Sequence, residues 1–251
     1  MPNLLRRALS LPWIAHLPVR VRGGIADGAH WTFFPWSAYW RGTHEPEAQA
    51  RLLALRSDWT GLHIWDLGSH YGLFAIGLGR RVGPTGSVAA FEPNTLSYAR
   101  LQLHVRRNRL AHVKTFPCAV SNETGKQRFF LYEGMETTSS HLAYEGETWN
   151  ETIQTMDIPT RRLDDMVKAG EIDLPDFVKV DVEGHGHKAL AGAAEALAQS
   201  RPTLLIGFHS EPEITGILAV LTPLRYRISS ILTDAPPEPT IGYDYLFEPL
   251  P

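Results

Sequence analysis

The chain has 251 residues, 43% hydrophobic and 20% charged, the balance of an ordinary globular protein and not of a disordered or fibrous one. Lys and Arg number 24 against 27 Asp and Glu, and a formal charge of -3 argues against a surface built to neutralise a long run of nucleic-acid phosphates. A single cysteine, Cys118, excludes an internal disulfide and any zinc site made of several thiolates, and fits a reducing, cytoplasmic setting.

The stretch MPNLLRRALSLPWIAHLPV carries Arg6 and Arg7 before a short apolar run, but Pro12 and Pro18 interrupt it and it is too short to span a bilayer, so stable membrane insertion is not expected. Residues 19 to 34 alternate and turn at Gly23-Gly24, which predicts a hairpin. The aromatics Trp31, Phe33, Phe34, Trp36, Tyr39 and Trp40 suit a lid, core packing or the contact face of a homo-oligomer equally well. A helix begins near Glu45-Pro46, with Ala48, Leu52 and Leu55 on one face. These signals divide the chain into an N-terminal extension with a hairpin, residues 1–45, and a main domain, residues 46–251.

From residue 62 onward, apolar runs bounded by turn signals alternate with helical stretches, the pattern of a mostly parallel sheet covered by helices. The predicted strands are 62 to 67 (LHIWDL), 87 to 92 (SVAAFE), 112 to 120 (HVKTFPCAV), 176 to 182 (DFVKVDV), 203 to 208 (TLLIGF), 226 to 232 (YRISSIL) and 243 to 247 (YDYLF). Helices are predicted over 73 to 81, 95 to 108 and the alanine-rich 186 to 199. Residues 126 to 158 break this rhythm: QRFFLY and TIQTMDI read as an antiparallel pair around a polar stretch, an insertion placed to shape a substrate site.

The string IWDLGSHYG, residues 64 to 72, places Asp66 at a strand end and Gly68, Ser69 and Gly72 before a helix. Glycines there let the backbone approach a ligand, and the helix N-terminus beyond offers N–H groups to an anion. Glu92 follows at the end of the next strand, 20 positions after Gly72, where an ionised carboxylate can accept two hydrogen bonds from a ribose diol. An adenosine-bearing cofactor follows from this set. The dinucleotide fingerprint G-x-G-x-x-G needs a second glycine where this chain has His70, which turns the reading from NAD toward S-adenosylmethionine, with Asp66 suited to its ammonium.

With those residues in hand, the chain resembles the FkbM family of class I S-adenosylmethionine-dependent methyltransferases from about residue 39 to 210. YWRGTHEPE, IWDLGSHYG, FEPN, CAVSNETG, the serine pair of ETTSSH, RRLDDMV and VKVDVEGH match seven family blocks in order. The resemblance implies an α/β, Rossmann-like fold: a seven-stranded, mostly parallel sheet with helices on both faces and a reversed final hairpin. It also implies methyl transfer to an oxygen of a sugar, lipid or secondary metabolite, with S-adenosylhomocysteine as product. The chain departs from the family pattern at Gly186, where an acidic residue usually follows VEG, and at Gly207-Phe208-His209, where Glu-x-His is common.

An aliphatic hydroxyl must lose its proton during methyl transfer, so a base is needed near the strand ends. His209 is the first candidate, because an imidazole titrates near neutral pH, and Asp181 is the second. Lys179 and Asp181 can also form a structural ion pair, and Asp181 with neighbouring carboxylates such as Glu183 can hold a divalent metal, although no dense carboxylate cluster calls for one. The expected partner is a small-molecule acceptor and not nucleic acid; the basic run Arg80, Arg81, Arg106, Arg107 and Arg109 reads as a solvated helix face. Two rivals stand beside this reading, an NAD-dependent oxidoreductase and a methyltransferase-like binding protein without activity.

Overall fold

The computed structural model describes residues 17–34, 37–131, 141–142, 154–232 and 236–251. Two short strands, β1 (Pro18–Arg20) and β2 (His30–Thr32), pair antiparallel and lead to helix α1 (Pro46–Leu55). There follow β3 (His63–Leu67), α2 (Leu73–Val82), β4 (Ser87–Phe91), α3 (Thr95–Arg107), β5 (Val113–Phe116), β6 (Ala119–Val120), β7 (Gly125–Leu131), β8 (His141–Leu142) and β9 (Gln154–Arg161). The chain continues through α4 (Leu163–Lys168), β10 (Phe177–Val180), α5 (Gly186–Ala191), α6 (Ala194–Ser200), β11 (Thr203–Gly207), α7 (Glu211–Leu221), β12 (Tyr226–Ser230) and β13 (Asp244–Pro249).

Seven strands form one sheet in the order β12-β13-β11-β10-β3-β4-β5. The five from β11 to β5 are parallel, and β13 runs against both β11 and β12, which is the reversed final hairpin. Side chains alternate between the faces. Ile64, Phe177 and Leu205 pack under α1, α2 and α3, while Trp65, Val178, Leu204 and Phe247 pack under α4 to α7. The architecture is the class I methyltransferase fold that the resemblance implied.

Three elements differ from expectation. The run 112 to 120 divides at Pro117, which has no N–H for the ladder; Val113–Phe116 joins the large sheet and Ala119–Val120 pairs with β9 in a second sheet. The alanine-rich run 186 to 199 divides at Gly192, where an added Cβ would lie 2.1 Å from the Ser121 carbonyl oxygen. The buried Asp164 carboxylate caps the second piece, accepting from the N–H of Ala196 at 2.9 Å. Helix α7, absent from the sequence reading, starts at Ser210, whose hydroxyl accepts from the Glu213 N–H.

Strands β7 and β9 form the antiparallel pair expected at the insertion; most of the polar stretch between them lies outside the described residues. The N-terminal segment packs into the same core as α2, with Trp31 stacked 3.7 Å from the His104 ring. Arg80, Arg81 and Arg107 donate to its carbonyls at Asp27, Ile25 and Trp31, so those members of the basic run are used internally. Among the described residues no helix is long and apolar enough to cross a membrane.

Candidate active site

A cleft of ≈ 340 Å³ opens where the C-terminal ends of β3, β4, β10 and β11 meet the N-terminal end of the reversed strand β13. Open α/β sheets bind ligands at this edge, where the loops diverge around the strand order reversal. Gly68, Ser69, Glu92, Asp181 and His209 line it. Asp66 and Gly72 stand behind the lining.

On the β3–β4 side the central group is Glu92, which is buried. Its Oε2 accepts from the N–H of His70 at 2.8 Å and its Oε1 from the N–H of Asn94 at 2.7 Å. Burial outweighs those bonds and lifts the carboxyl to about 7. Each oxygen keeps a lone pair for a further donor, the valence that a vicinal diol needs. Asn94 also caps α3, accepting from the N–H groups of Leu96 and Ser97, so the carboxylate is aimed by a fixed helix end.

Gly68 has φ +85, and a Cβ there would sit 1.8 Å from the Asp181 carbonyl oxygen. The two loops approach so closely that only glycine fits. Gly72 has φ +90 and faces Leu101 of α3, so its lack of a side chain serves helix packing. The N–H groups of Gly68 and Ser69 both donate to the Phe91 carbonyl, that of His70 to Glu92, and that of Gly72 to Ser69. The N–H groups of Gly68, Ser69, His70 and Gly72 are thus used within the loop and its neighbours, and what these residues lend the cleft is contour.

Asp66 is 1% exposed, and neither carboxylate oxygen accepts a hydrogen bond among the described residues. Burial raises its carboxyl to about 6 despite Lys179, its neighbour across the β3–β10 pair. An unpaired buried carboxylate beside a cleft is an acceptor in want of a donor. The ring of His70 stacks on Tyr71 with centroids 3.8 Å apart, its Nδ1 meets the Tyr39 hydroxyl at 2.6 Å, and burial holds its pKa down at about 4. That neutral ring fills the space in which a dinucleotide loop would carry its second glycine.

The opposite side is dense in charge. Lys179, 4% exposed, places Nζ 2.8 Å from Asp181 Oδ2, 3.5 Å from Glu45 Oε2 and 4.6 Å from the Phe74 ring centre. Desolvation opposes its charge, yet Asp181, Glu45 and Asp66 together raise its pKa. Glu45 is lowered to about 2: burial works against its charge, and Lys179 and His44 outweigh burial. His209 Nε2 lies 3.4 Å from Asp181 Oδ1 and 3.8 Å from Glu183 Oε2, while Nδ1 lies 3.5 Å from Glu213 Oε2. Burial disfavours the imidazolium, but Glu213, Asp181 and Glu183 carry its pKa up to about 9. The raised pKa favours the imidazolium, whereas the sequence reading took His209 as a group that titrates near neutral pH.

Asp181, Glu183 and His209 bring one donor atom each within 4.8 Å of one another, a set that could hold a metal ion, and Lys179 and His209 are shared between these carboxylates and Glu45 and Glu213. The Lys179–Asp181 pair weighed from the sequence is present. Cys118 lines the cleft as a buried thiol pushed up to about 12, a packing group and no nucleophile. Sequence reasoning missed Glu45, Glu213 and Asp244. Glu45 sits in the YWRGTHEPE block, so position alone could have flagged it; Glu213 ends a Ser-x-x-Glu helix-start signature at Ser210 that could have placed it, and Asp244 carries no local signal and reaches the site through the fold.

The sheet order, the reversed strand and the cleft at the strand ends define a class I methyltransferase fold. The family model described as the methyltransferase FkbM domain matches residues 66–228, and the chain belongs to that family. It is 31% identical over 164 residues to the hexuronic acid methyltransferase AglP of Haloferax volcanii, covering 64% of this chain and 62% of that protein. It is 26% identical over 157 residues to the 31-O-demethyl-FK506 methyltransferase FkbM of Streptomyces tacrolimicus, covering 53% of this chain and 60% of that one. The chain thus spans about three fifths of the length of these curated relatives. The crystal structure of methyltransferase FkbM from Methylobacillus flagellatus KT shares the fold, with TM-score 0.54 and 21% identity over 78% of this chain and 46% of that one.

Proposed function

We propose that this protein is an S-adenosylmethionine-dependent methyltransferase that methylates a hydroxyl oxygen of a small acceptor such as a sugar, lipid or secondary metabolite. The carrying observation is Glu92, a buried carboxylate aimed by two backbone N–H groups with lone pairs left for a ribose diol. The other residues fit the same cofactor: Asp66 has two buried oxygens without donors and suits the ammonium of a methionine moiety, and Gly68 and Ser69 line the cleft between the two carboxylates. Gly72 holds the loop against α3. The family and the methyltransferase names of both curated relatives support this reading.

When bound, S-adenosylmethionine supplies an electrophilic methyl on a sulfonium. The protein's part is to hold an acceptor oxygen in line with that methyl and to manage its proton. Asp181 and His209 face the acceptor side; as a fixed carboxylate and a fixed cation they orient hydroxyl groups by accepting and donating hydrogen bonds. His44 and Glu45 close the mouth beside Tyr39, whose ring stacks 4.1 Å from His44. A dinucleotide reading is disfavoured by the His70 ring and by the internal use of the loop N–H groups. Calorimetric titration with S-adenosylhomocysteine and NADH tests the proposal. Micromolar binding of the first, lost in Glu92→Ala, is the expected result; binding of NADH alone would sink it.

A further inference from the structure

Gly207 and Asp244 are partners across the β11–β13 pair, so they share one face of the sheet in a row with Asp181. A Cβ on Gly207 would lie 2.8 Å from Asp244 Oδ1, 3.4 Å from His209 Cε1 and 3.8 Å from Asp181 Oδ1. The absent side chain at 207 leaves room that the Asp244 carboxylate occupies. Because β13 is reversed, its first residue reaches the same edge as the last residues of the parallel strands, which puts Asp244 in the cleft lining.

We propose that Asp244 is the group that takes the proton from the acceptor hydroxyl. The assignment rests on the methyl-transfer reading above and adds the base to it. The neighbouring groups are committed elsewhere: Asp181 to Lys179 and His209, Glu45 to Lys179 and His44, and His209 to its three carboxylates. The Asp244 side chain accepts no hydrogen bond among the described residues and faces the cleft. Burial, opposed by Lys179 and His209 and reinforced by Asp181 and Glu45, lifts its carboxyl to about 6, where it is ionised at neutral pH yet basic enough to accept a proton. In the step, the acceptor O–H bond breaks and its proton goes to Asp244. The freed oxygen pair forms the new O–CH3 bond while the C–S bond of the methyl sulfonium donor breaks, leaving its electron pair on a neutral thioether.

The test compares wild type, Asp244→Asn and His209→Gln. Carbon-13 NMR of protein labelled at the aspartate carboxyls should show one resonance, absent from Asp244→Asn, that titrates near pH 6; a resonance titrating below pH 4.5 overturns the proposal whatever the acceptor. Calorimetry with S-adenosylhomocysteine should give Asp244→Asn a Kd within about twofold of wild type. Failure of wild type to bind would instead strike the methyl-donor reading. With tritiated S-adenosylmethionine and a panel of methyl hexosides and methyl hexuronides, Asp244→Asn should lose about 100-fold or more in kcat with little change in KM, the range of general-base catalysis. Retention of most of kcat in Asp244→Asn while His209→Gln loses it, or activity abolished by EDTA and restored by Mg2+, would overturn the assignment.

Discussion

The N–H of His70 donates to Glu92 Oε2 at 2.8 Å, so the loop after β3 and the end of β4 are locked into one wall of the cleft. Because burial lifts Glu92 to about 7, its charge changes within the ordinary working range. In the proposed complex a ribose diol would donate to the ionised carboxylate and favour that form. Below pH 7 a proton must leave on binding, and S-adenosylhomocysteine affinity should weaken by up to about tenfold per pH unit as pH falls from 7 to 5.5, then stay flat above 7. Calorimetry across that range reads the slope, and Glu92→Gln should remove it along with most of the affinity. An unchanged slope in the variant would assign the proton to Asp66 instead.

His209 has its folded pKa raised above the usual histidine value, so its ion pairs stabilise the protein fully below about pH 6.5 and that contribution fades as pH rises through about 9. His209→Gln should therefore be less stable than wild type at pH 6, by on the order of 2 kcal/mol. The gap should close by pH 10. Urea denaturation at both pH values checks this, and a gap that widens with pH would mean that the imidazole is neutral in the folded protein.

The two loop glycines should respond unequally to alanine. A Cβ at residue 68 meets a backbone oxygen at 1.8 Å, which cannot move without parting β3 from the Asp181 loop, whereas one at residue 72 meets a leucine methyl at 2.5 Å that can rotate. Both substitutions carry the strain of a positive φ, about 1–2 kcal/mol. Gly68→Ala should exceed this by several-fold and abolish S-adenosylhomocysteine binding, while Gly72→Ala should remain near it and keep binding. Chemical denaturation and calorimetry on the two variants decide the order.

The sheet was legible because parallel strands buried on both faces read as apolar runs, and IWDL, VAAF, FVKV and TLLIG are such runs. The position of Glu92 at the cleft was legible because it ends one of them. Where the reading failed, some causes were local, Pro117 within the run 112 to 120 and the Ser-x-x-Glu start of α7 at Ser210 and Glu213, and others came from another element. Gly192 ends a helix because Ser121 approaches it from another element, and His209 owes its charge to Glu213, which was hidden in an unrecognised helix. Asp244 was overlooked because a search along C-terminal strand ends passes over a reversed strand, whose N-terminal end faces the cleft.

Glu213 is fully buried, and its two oxygens accept from the N–H groups of Gly186 and His209, each at 2.8 Å. Glu213→Ala leaves both donors without partners and removes a carboxylate from His209, which should cost about 2–4 kcal/mol and bring the His209 pKa down toward its ordinary value. A Cβ on Gly186 would lie 2.6 Å from Glu213 Oε1, so the space at residue 186 and the Glu213 carboxylate are alternatives. Gly186→Asp alone should destabilise by forcing two carboxylates together, whereas Gly186→Asp with Glu213→Ala should recover at least half of the loss. Urea denaturation of the four proteins gives the coupling energy, and proton NMR of His209 reads the charge. Strictly additive single effects would show that the two positions do not share one site.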